Sequence, residues 1–156
     1  MTTAPKPLFD KKPRRLPARG AKATAGVQRS LKLLRERGYH ADVCERWVAN
    51  PVGKAQASKF TGGYRRDLFG VADIVAFHPS LPEVLLVQVT TRDQIGPHVR
   101  AYRTDRAIAA LLNDWLRQSN RQFVIHGWYA VERATKSGGK VVRWRCEEQE
   151  IIAGDL

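Results

Sequence analysis

A chain of 156 residues is long enough for one domain that buries about two thirds of the surface its unfolded form exposes. Its 27 lysines and arginines against 15 aspartates and glutamates give a formal net charge of +12. This charge predicts a polyanionic partner, nucleic acid first and ribosomes, acidic proteins or anionic membranes after it. The chain has neither an apolar run approaching the ~20 residues that span a bilayer nor the apolar core of a secretory signal, so we expect a cytoplasmic protein without a membrane anchor.

Residues 1–22 form a basic arm with four prolines, seven lysines and arginines and a single acid. Such a segment buries too little apolar surface to fold, so we expect a disordered arm that neutralises phosphates or, alternatively, a solubilising tail without a partner. Residues 23–156 are then a single folded domain. Its two cysteines, Cys44 and Cys146, lie far apart and indicate reduced thiols rather than a disulfide or a zinc site. The four histidines show no metal-ligand spacing.

The first predicted elements are a helix and three strands. Val27, Leu31 and Leu34 at helical spacing predict a helix over residues 23–37, and Gly38 ends it. A strand over 40–48 and a loop over 50–64 follow. The next two strands, near 71–77 and 84–91, are joined by a proline-containing turn that is too short for a helical crossover, so they pair antiparallel.

The remaining elements are one helix and two strands. The helix is predicted from Pro97 to about Gln118, and its buried face combines these apolar residues: Val99, Tyr102, Ile108, Leu111, Leu112 and Trp115. Strands over 122–131 and 141–151 complete the chain. The order α, β, β, β, α, β, β predicts a mixed α/β fold with helices packed on a small sheet.

Polar residues interrupt the two central strands at positions that share a face. Because side chains of a strand alternate, Asp73 on one strand and Gln88 and Thr90 on the next can converge on one spot. A buried carboxylate without partners costs several kcal/mol or more, so Asp73 is either paired, for example with Arg65 or Arg66, or functional. Gln88 and Thr90 are alternatively a satisfied polar pair on a half-buried strand.

These strands carry a resemblance to a known family. The segments ERGY at 36–39, VADIVAF at 71–77 and LLVQVTT at 85–91 are similar to those of the PD-(D/E)XK nuclease superfamily, and the layout resembles the archaeal and phage-type Holliday junction resolvases. The resemblance covers about 27–131. It implies a restriction-endonuclease-like αβββαβ core, a mixed sheet flanked by helices.

The resemblance also implies a role for each polar residue. Asp73 takes the place of the metal-binding aspartate, Gln88 that of the second carboxylate, and the carbonyl of Val89 completes the ligands of Mg²⁺ or Mn²⁺. Thr90 replaces the lysine that orients the attacking water. Each replacement removes one charge, and Asp67 could restore a second carboxylate unless it is a turn or cap residue.

One further departure concerns the first helix, and a set of basic residues is expected to supply the contacts with nucleic acid. The glutamate that resolvases carry on the first helix corresponds to Val27 here, so this ligand is absent unless Glu36 or Glu45 substitutes for it. Asp93, like Asp67, could instead restore the second carboxylate. Basic residues expected to contact nucleic acid lie before and after the two strands: Lys54, Lys59, Arg65, Arg66, Arg92, Arg100, Arg103 and Arg106. The last three form a stripe on the predicted second helix.

We therefore expect a magnesium-dependent DNA endonuclease. Branched DNA as substrate and a homodimer are implied only by analogy with resolvases. The alternative of a different class is a nuclease-fold module that has lost catalysis and only binds DNA or RNA. A protein-interaction role is the third alternative.

Overall fold

A computed structural model describes residues 24–44, 46–49, 63–136, 138–154 and 156. In chain order the elements are helix α1 (Ala25–Glu36), strands β1 (His40–Val43), β2 (Arg46–Ala49), β3 (Gly63–Arg66), β4 (Ile74–Phe77) and β5 (Val84–Thr91), a 3-10 turn (Arg92–Gln94), helices α2 (Ile95–Thr104) and α3 (Arg106–Leu116), and strands β6 (Arg121–Ala134) and β7 (Lys140–Ile151). The predicted basic arm, residues 1–22, lies outside the described residues.

Five strands form one mixed sheet in the order β1-β4-β5-β6-β7. Every neighbouring pair is antiparallel except β5 and β6, which are parallel and joined through α2 and α3. Strands β2 and β3 pair in a separate two-stranded sheet. The predicted α/β class, a mixed sheet flanked by helices, is confirmed. Among the described residues, a membrane-spanning helix is ruled out, because none combines the required length with the required hydrophobicity.

Helix α1 covers one face of the sheet. Thr24 caps it by accepting the N–H of Val27, and its apolar residues Val27, Leu31 and Leu34 pack with residues of β4 and β5. The helix stops at Gly38, where φ is +88° and a Cβ would lie 2.9 Å from the ring of His78. Only glycine meets both conditions, so the predicted end of this helix is confirmed.

Helices α2 and α3 cover the other face, where Tyr102 and Leu112 pack with Leu86, Phe123 and Ile125. The prediction of one continuous helix here was wrong. Asp105 has extended backbone (φ −81°, ψ 105°), and its carboxylate accepts the N–H groups of the first turn of α3 at 3.0 and 3.2 Å. Aspartate is a strong N-cap residue, and this cap separates the two helices.

The predicted strand over 40–48 was also wrong as a single element. Only the first part of this segment, β1, belongs to the main sheet. Cys44, just after β1, still donates its N–H to the carbonyl of Asp73 at 2.9 Å. The chain then leaves this sheet and forms β2, which pairs with β3. The predicted loop over 50–64 therefore ends earlier, because Gly63 and Tyr64 belong to β3; residues 50–62 lie outside the described residues.

Candidate functional site at the start of strand β4

Asp73 and Gln88 meet where β4 begins beside β5. The register pairs Ile74 with Val87, so the residues that precede and follow them lie opposite each other. Gln88 Nε2 donates to Asp73 Oδ2 at 2.8 Å, and the N–H of Val89 donates to the same oxygen at 2.7 Å. Asp73 and Gln88 are each only 7% exposed. The predicted convergence of these two side chains is confirmed.

The Gln88 amide nitrogen lies between two oxygen atoms. It is 2.8 Å from Asp73 Oδ2 and 3.4 Å from the carbonyl oxygen of Val89. These are two of the oxygens that the family resemblance assigns to a divalent ion. Carboxylate, amide and carbonyl oxygens suit a hard cation, but a cation between them requires Gln88 to rotate until its oxygen replaces its nitrogen. Breaking a hydrogen bond to a charged group costs about 1.5–3 kcal/mol.

A tight turn carries a second carboxylate, Asp67, to the same corner. Leu68 and Ala72 form an isolated antiparallel bridge, so Asp67 and Asp73 are the residues that flank it. The turn passes through Phe69 and Gly70, both with positive φ (56° and 75°). The carbonyl of Asp67 accepts the N–H of Gly70 at 3.0 Å, so this residue also serves the turn, as the alternative reading expects.

The corner carries negative charge that reaches two neighbouring weak acids. Burial, followed by the charge of Asp73 and more weakly that of Asp67, raises the pKa of Cys44 to about 11. Burial followed by the same two charges also raises the pKa of Tyr102. Both groups therefore stay protonated near neutral pH, and Cys44 Sγ donates to the carbonyl of Ala72 at 3.3 Å. The negative charges of Asp73 and Asp67 therefore act on both groups from this corner of the sheet.

Thr90 follows on the same face of β5, half-buried and opposite Gly127 of β6. A Cβ at Gly127 would lie 3.0 Å from the Arg92 Cα and closer still to the side chain of Ile95. Glycine therefore allows the start of α2 to approach the sheet beside Thr90. The Asp93 carboxylate is exposed and accepts Gln94 Nε2 at 3.0 Å.

The predicted nucleic-acid contacts are distributed over several elements. Arg100 and Arg103 are exposed on α2, whereas Arg106 begins α3, so the predicted three-residue stripe on one helix was wrong. Arg92 forms an ion pair with Glu147 at 2.7 Å and lies over the ring of Tyr129. Of the four other predicted residues, Arg66 is exposed at the end of β3 and Arg65 belongs to β3 but its side chain is not described. Lys54 and Lys59 lie outside the described residues.

The other face of the sheet holds a cluster that the sequence did not predict. Ligand atoms of His126, Cys146 and Glu148 all lie within 4.8 Å of one another. His126 Nδ1 is 3.1 Å from Ser30 Oγ on α1. Arg37 holds Glu148 through both carboxylate oxygens, at 2.6 and 3.0 Å. The available signal was the i, i+2 spacing of Cys146 and Glu148 on one strand, but the histidine partner depends on the β6–β7 register.

The ionisation of this cluster follows from its burial and its charges. Burial lowers the pKa of His126 to about 4, although the charge of Glu148 opposes the shift. Burial, and then Glu148, raise the pKa of Cys146 to about 12. The hydrogen bond from Arg37 lowers the pKa of Glu148. Near neutral pH the cluster therefore consists of a neutral imidazole, a thiol and a carboxylate.

Glu36, a proposed substitute acid, faces a different region. It lies on α1, lines a pocket with Trp128 and Cys146 and pairs with Lys32 at 3.7 Å. It is thus on the face opposite Asp73 and cannot complete that corner.

Comparisons of the chain with protein-family models, curated proteins and solved structures found no match.

Proposed function

We propose that this chain is a metal-dependent DNA endonuclease whose divalent ion binds at the Asp73 corner. The observation that carries the proposal is the contact of the buried Asp73 carboxylate with Gln88 and Val89 of the neighbouring strand. Asp67, which flanks the isolated Leu68–Ala72 bridge on the side opposite Asp73 in the chain, would supply a second carboxylate. The order of α1, β1, β4, β5, the helical crossover and the parallel strand β6 supports the restriction-endonuclease-like core that the sequence resemblance implies.

The corner offers donors that suit Mg²⁺ or Mn²⁺. Asp73 and Asp67 would bind it through carboxylates, Gln88 through its amide oxygen and Val89 through its carbonyl. When bound, the ion would supply a hydroxide nucleophile and stabilise charge on the scissile phosphate. Thr90, on the same face as Gln88, can accept or donate a hydrogen bond and would orient a water molecule.

The exposed arginines of α2 supply the contact with DNA. Arg100 and Arg103 follow the corner in the chain and can bind phosphates without reading sequence. The net charge of +12 favours a polyanionic substrate over a small neutral one. Branched DNA and action as a homodimer extend this proposal by analogy with resolvases.

A second candidate is a module that binds DNA or RNA without cutting it. The observation favouring it is the position of Gln88 Nε2, which donates to Asp73 Oδ2 and to the Val89 carbonyl and so occupies the place between these oxygens that a metal ion would need. In that case the corner stabilises the fold, and the arginines alone carry the function.

A cleavage assay separates the two candidates. The purified protein is incubated with branched, linear and single-stranded DNA in Mg²⁺, Mn²⁺ or EDTA. We expect metal-dependent cleavage that Asp73→Asn abolishes. The matched control is Asp42→Asn, because Asp42 is an exposed acid of β1 whose carboxylate accepts the N–H of Val43. Identical products from wild type and Asp73→Asn reject the nuclease proposal, and DNA binding without cleavage supports the second candidate.

The double variant Gln88→Glu/Thr90→Lys strengthens this test. It restores the acid and the lysine that the resemblance expects at these positions. Cleavage that appears only in the double variant, and disappears when Asp73→Asn is added, would mean that the natural chain is a binding module on a nuclease framework. Cleavage by wild type that the double variant leaves similar or increases supports the nuclease proposal.

A further inference from the structure

The cluster on the α1 face has the ligands of a transition-metal site. We propose that His126, Cys146 and Glu148 bind Zn²⁺ and leave a fourth coordination position open to solvent. The inference stands apart from the proposed nuclease activity, because these residues lie on the opposite face of the sheet from Asp73. The three candidate ligand atoms already lie within 4.8 Å of one another.

The donor set selects the metal. One imidazole nitrogen, one thiolate sulfur and one carboxylate oxygen are ligands that Zn²⁺ takes in proteins, whereas Mg²⁺ requires oxygen ligands and an octahedral arrangement. A thiolate and a carboxylate carry two negative charges, which Zn²⁺ neutralises. The proton of the Cys146 thiol leaves to solvent when the sulfur binds the metal.

Residues around the imidazole fix its orientation. His126 Nδ1 is 3.1 Å from Ser30 Oγ, which also accepts the indole N–H of Trp128 at 2.8 Å. Both His126 and Ser30 are at most 1% exposed. With its proton on Nδ1 and donated to Ser30, the ring keeps its lone pair on Nε2. Zinc-binding histidines use such an outer hydrogen bond to hold the ring in place.

The cluster must contract by roughly 1 Å to bind zinc, since Zn–S and Zn–N bonds of about 2.3 and 2.0 Å put the ligand atoms about 3.5 Å apart in a tetrahedron. Glu148 is the ligand able to move, because its side chain is 35% exposed. One of its oxygens would turn to the metal while the other keeps its bond to Arg37, which then serves as the outer partner of the carboxylate.

An adjacent pocket gives access to the fourth position. It has a volume of about 570 Å³ and lies between α1 and β7, with Cys146 and Glu148 on one side and Arg29 and Lys32 on the other. A metal with three protein ligands beside open space keeps a water or an exchangeable anion as its fourth ligand. The basic residues of the pocket favour the anion.

Cobalt spectroscopy tests the site. The full-length chain, free of any histidine tag and treated with EDTA, is titrated with Co²⁺ and then with Zn²⁺ as a competitor. We expect one equivalent of Co²⁺ to give the thiolate-to-cobalt band and the visible bands of a tetrahedral ion, and Zn²⁺ to remove them. Cys146→Ser should abolish the thiolate band and weaken zinc binding by at least about 100-fold, since the loss of an outer partner alone costs 10–100-fold.

Cys44→Ser is the matched control, because Cys44 is the other free and half-buried thiol and lies on the opposite face. It should retain the full spectrum. Glu148→Gln provides a second variant, measured by calorimetry with Zn²⁺, and should bind more weakly while keeping the thiolate band. The proposal is overturned if wild type shows no thiolate band, if Cys146→Ser retains it, or if Cys44→Ser removes it.

Discussion

Replacing Gln88 by glutamate puts the contact with Asp73 to a direct test, because it converts a donor into an acceptor at almost constant size. The variant loses a hydrogen bond to a charged group, which contributes about 1.5–3 kcal/mol. It also places a second carboxylate next to that of Asp73. In the wild type, Gln88 Nε2 lies 2.8 Å from Asp73 Oδ2, and each of the two residues is only 7% exposed. With the lower value for the hydrogen bond and about 1.4 kcal/mol for a rise of one unit in the pair's pKa, we expect the free energy of unfolding to fall by at least about 3 kcal/mol at pH 8.

The sign of the pH dependence follows from the raised pKa. One carboxyl of the pair has a folded-state pKa above its unfolded value of about 4.3. The penalty is therefore present above the folded-state pKa and shrinks as the pH falls towards the unfolded value, where the two groups share a proton. Urea unfolding in EDTA at pH 8 and pH 5 should show the loss relative to wild type mainly at pH 8.

Two further measurements complete this test. Gln88→Met removes the donor without adding a charge, so its loss of stability should vary far less with pH. Millimolar Mg²⁺ or Mn²⁺ should raise the unfolding temperature of Gln88→Glu more than that of wild type, because the cation offsets the negative charge that the variant adds. Equal stability of wild type and Gln88→Glu at both pH values would show that the two side chains do not touch. Absence of metal stabilisation in the variant would refute the cation site.

Three other outcomes test separate parts of the structure. Gly127→Ala should lower the free energy of unfolding by about 1–3 kcal/mol, since the added Cβ meets the start of α2. Gly96→Ala in α2 should raise it by up to about 1 kcal/mol, because the nearest atom to the added Cβ, in the Arg100 side chain, is 3.8 Å away. Chemical denaturation measures both changes. At pH 8 iodoacetamide should modify Cys44 roughly 100-fold more slowly in the folded than in the unfolded chain, because its pKa is raised to about 11, and Asp73→Asn should speed the folded-state reaction, as followed by mass spectrometry. Deleting residues 1–22 should flatten the slope of log affinity for DNA against log salt concentration, and an unchanged slope would mean that the arm does not contact phosphates.

The meeting of Asp73 and Gln88 could be predicted from the sequence because two local rules determine it. Side-chain alternation assigns each residue to a face, and the short turn between the strands leaves antiparallel pairing as the available arrangement. The bridge that brings Asp67 near could only be suggested, since it depends on the positive φ angles of Phe69 and Gly70.

The predictions from sequence were wrong where tertiary contacts override the local secondary-structure preference of the residues. Asp105 is tolerated within a helix and is also a good N-cap, and only the packing of α2 and α3 decides between these roles. Residues 40–48 alternate as one strand would, but the partner of the second half is β3 rather than β4. Spacing along the chain likewise concealed the His126 cluster, because its members meet only across the β6–β7 register and under α1.

Strand β5 connects the two candidate sites through Val89. Its N–H holds the Asp73 carboxylate on one face, while its side chain contacts α1 on the other and its neighbour on β6 is His126. The two sites share this backbone but no ligand atom, and their donors differ in chemistry. Oxygen ligands at Asp73 favour Mg²⁺, and the imidazole and thiol favour Zn²⁺. Mg²⁺ should therefore stabilise Gln88→Glu without altering the cobalt spectrum, and Cys146→Ser should abolish that spectrum without changing the Mg²⁺ effect.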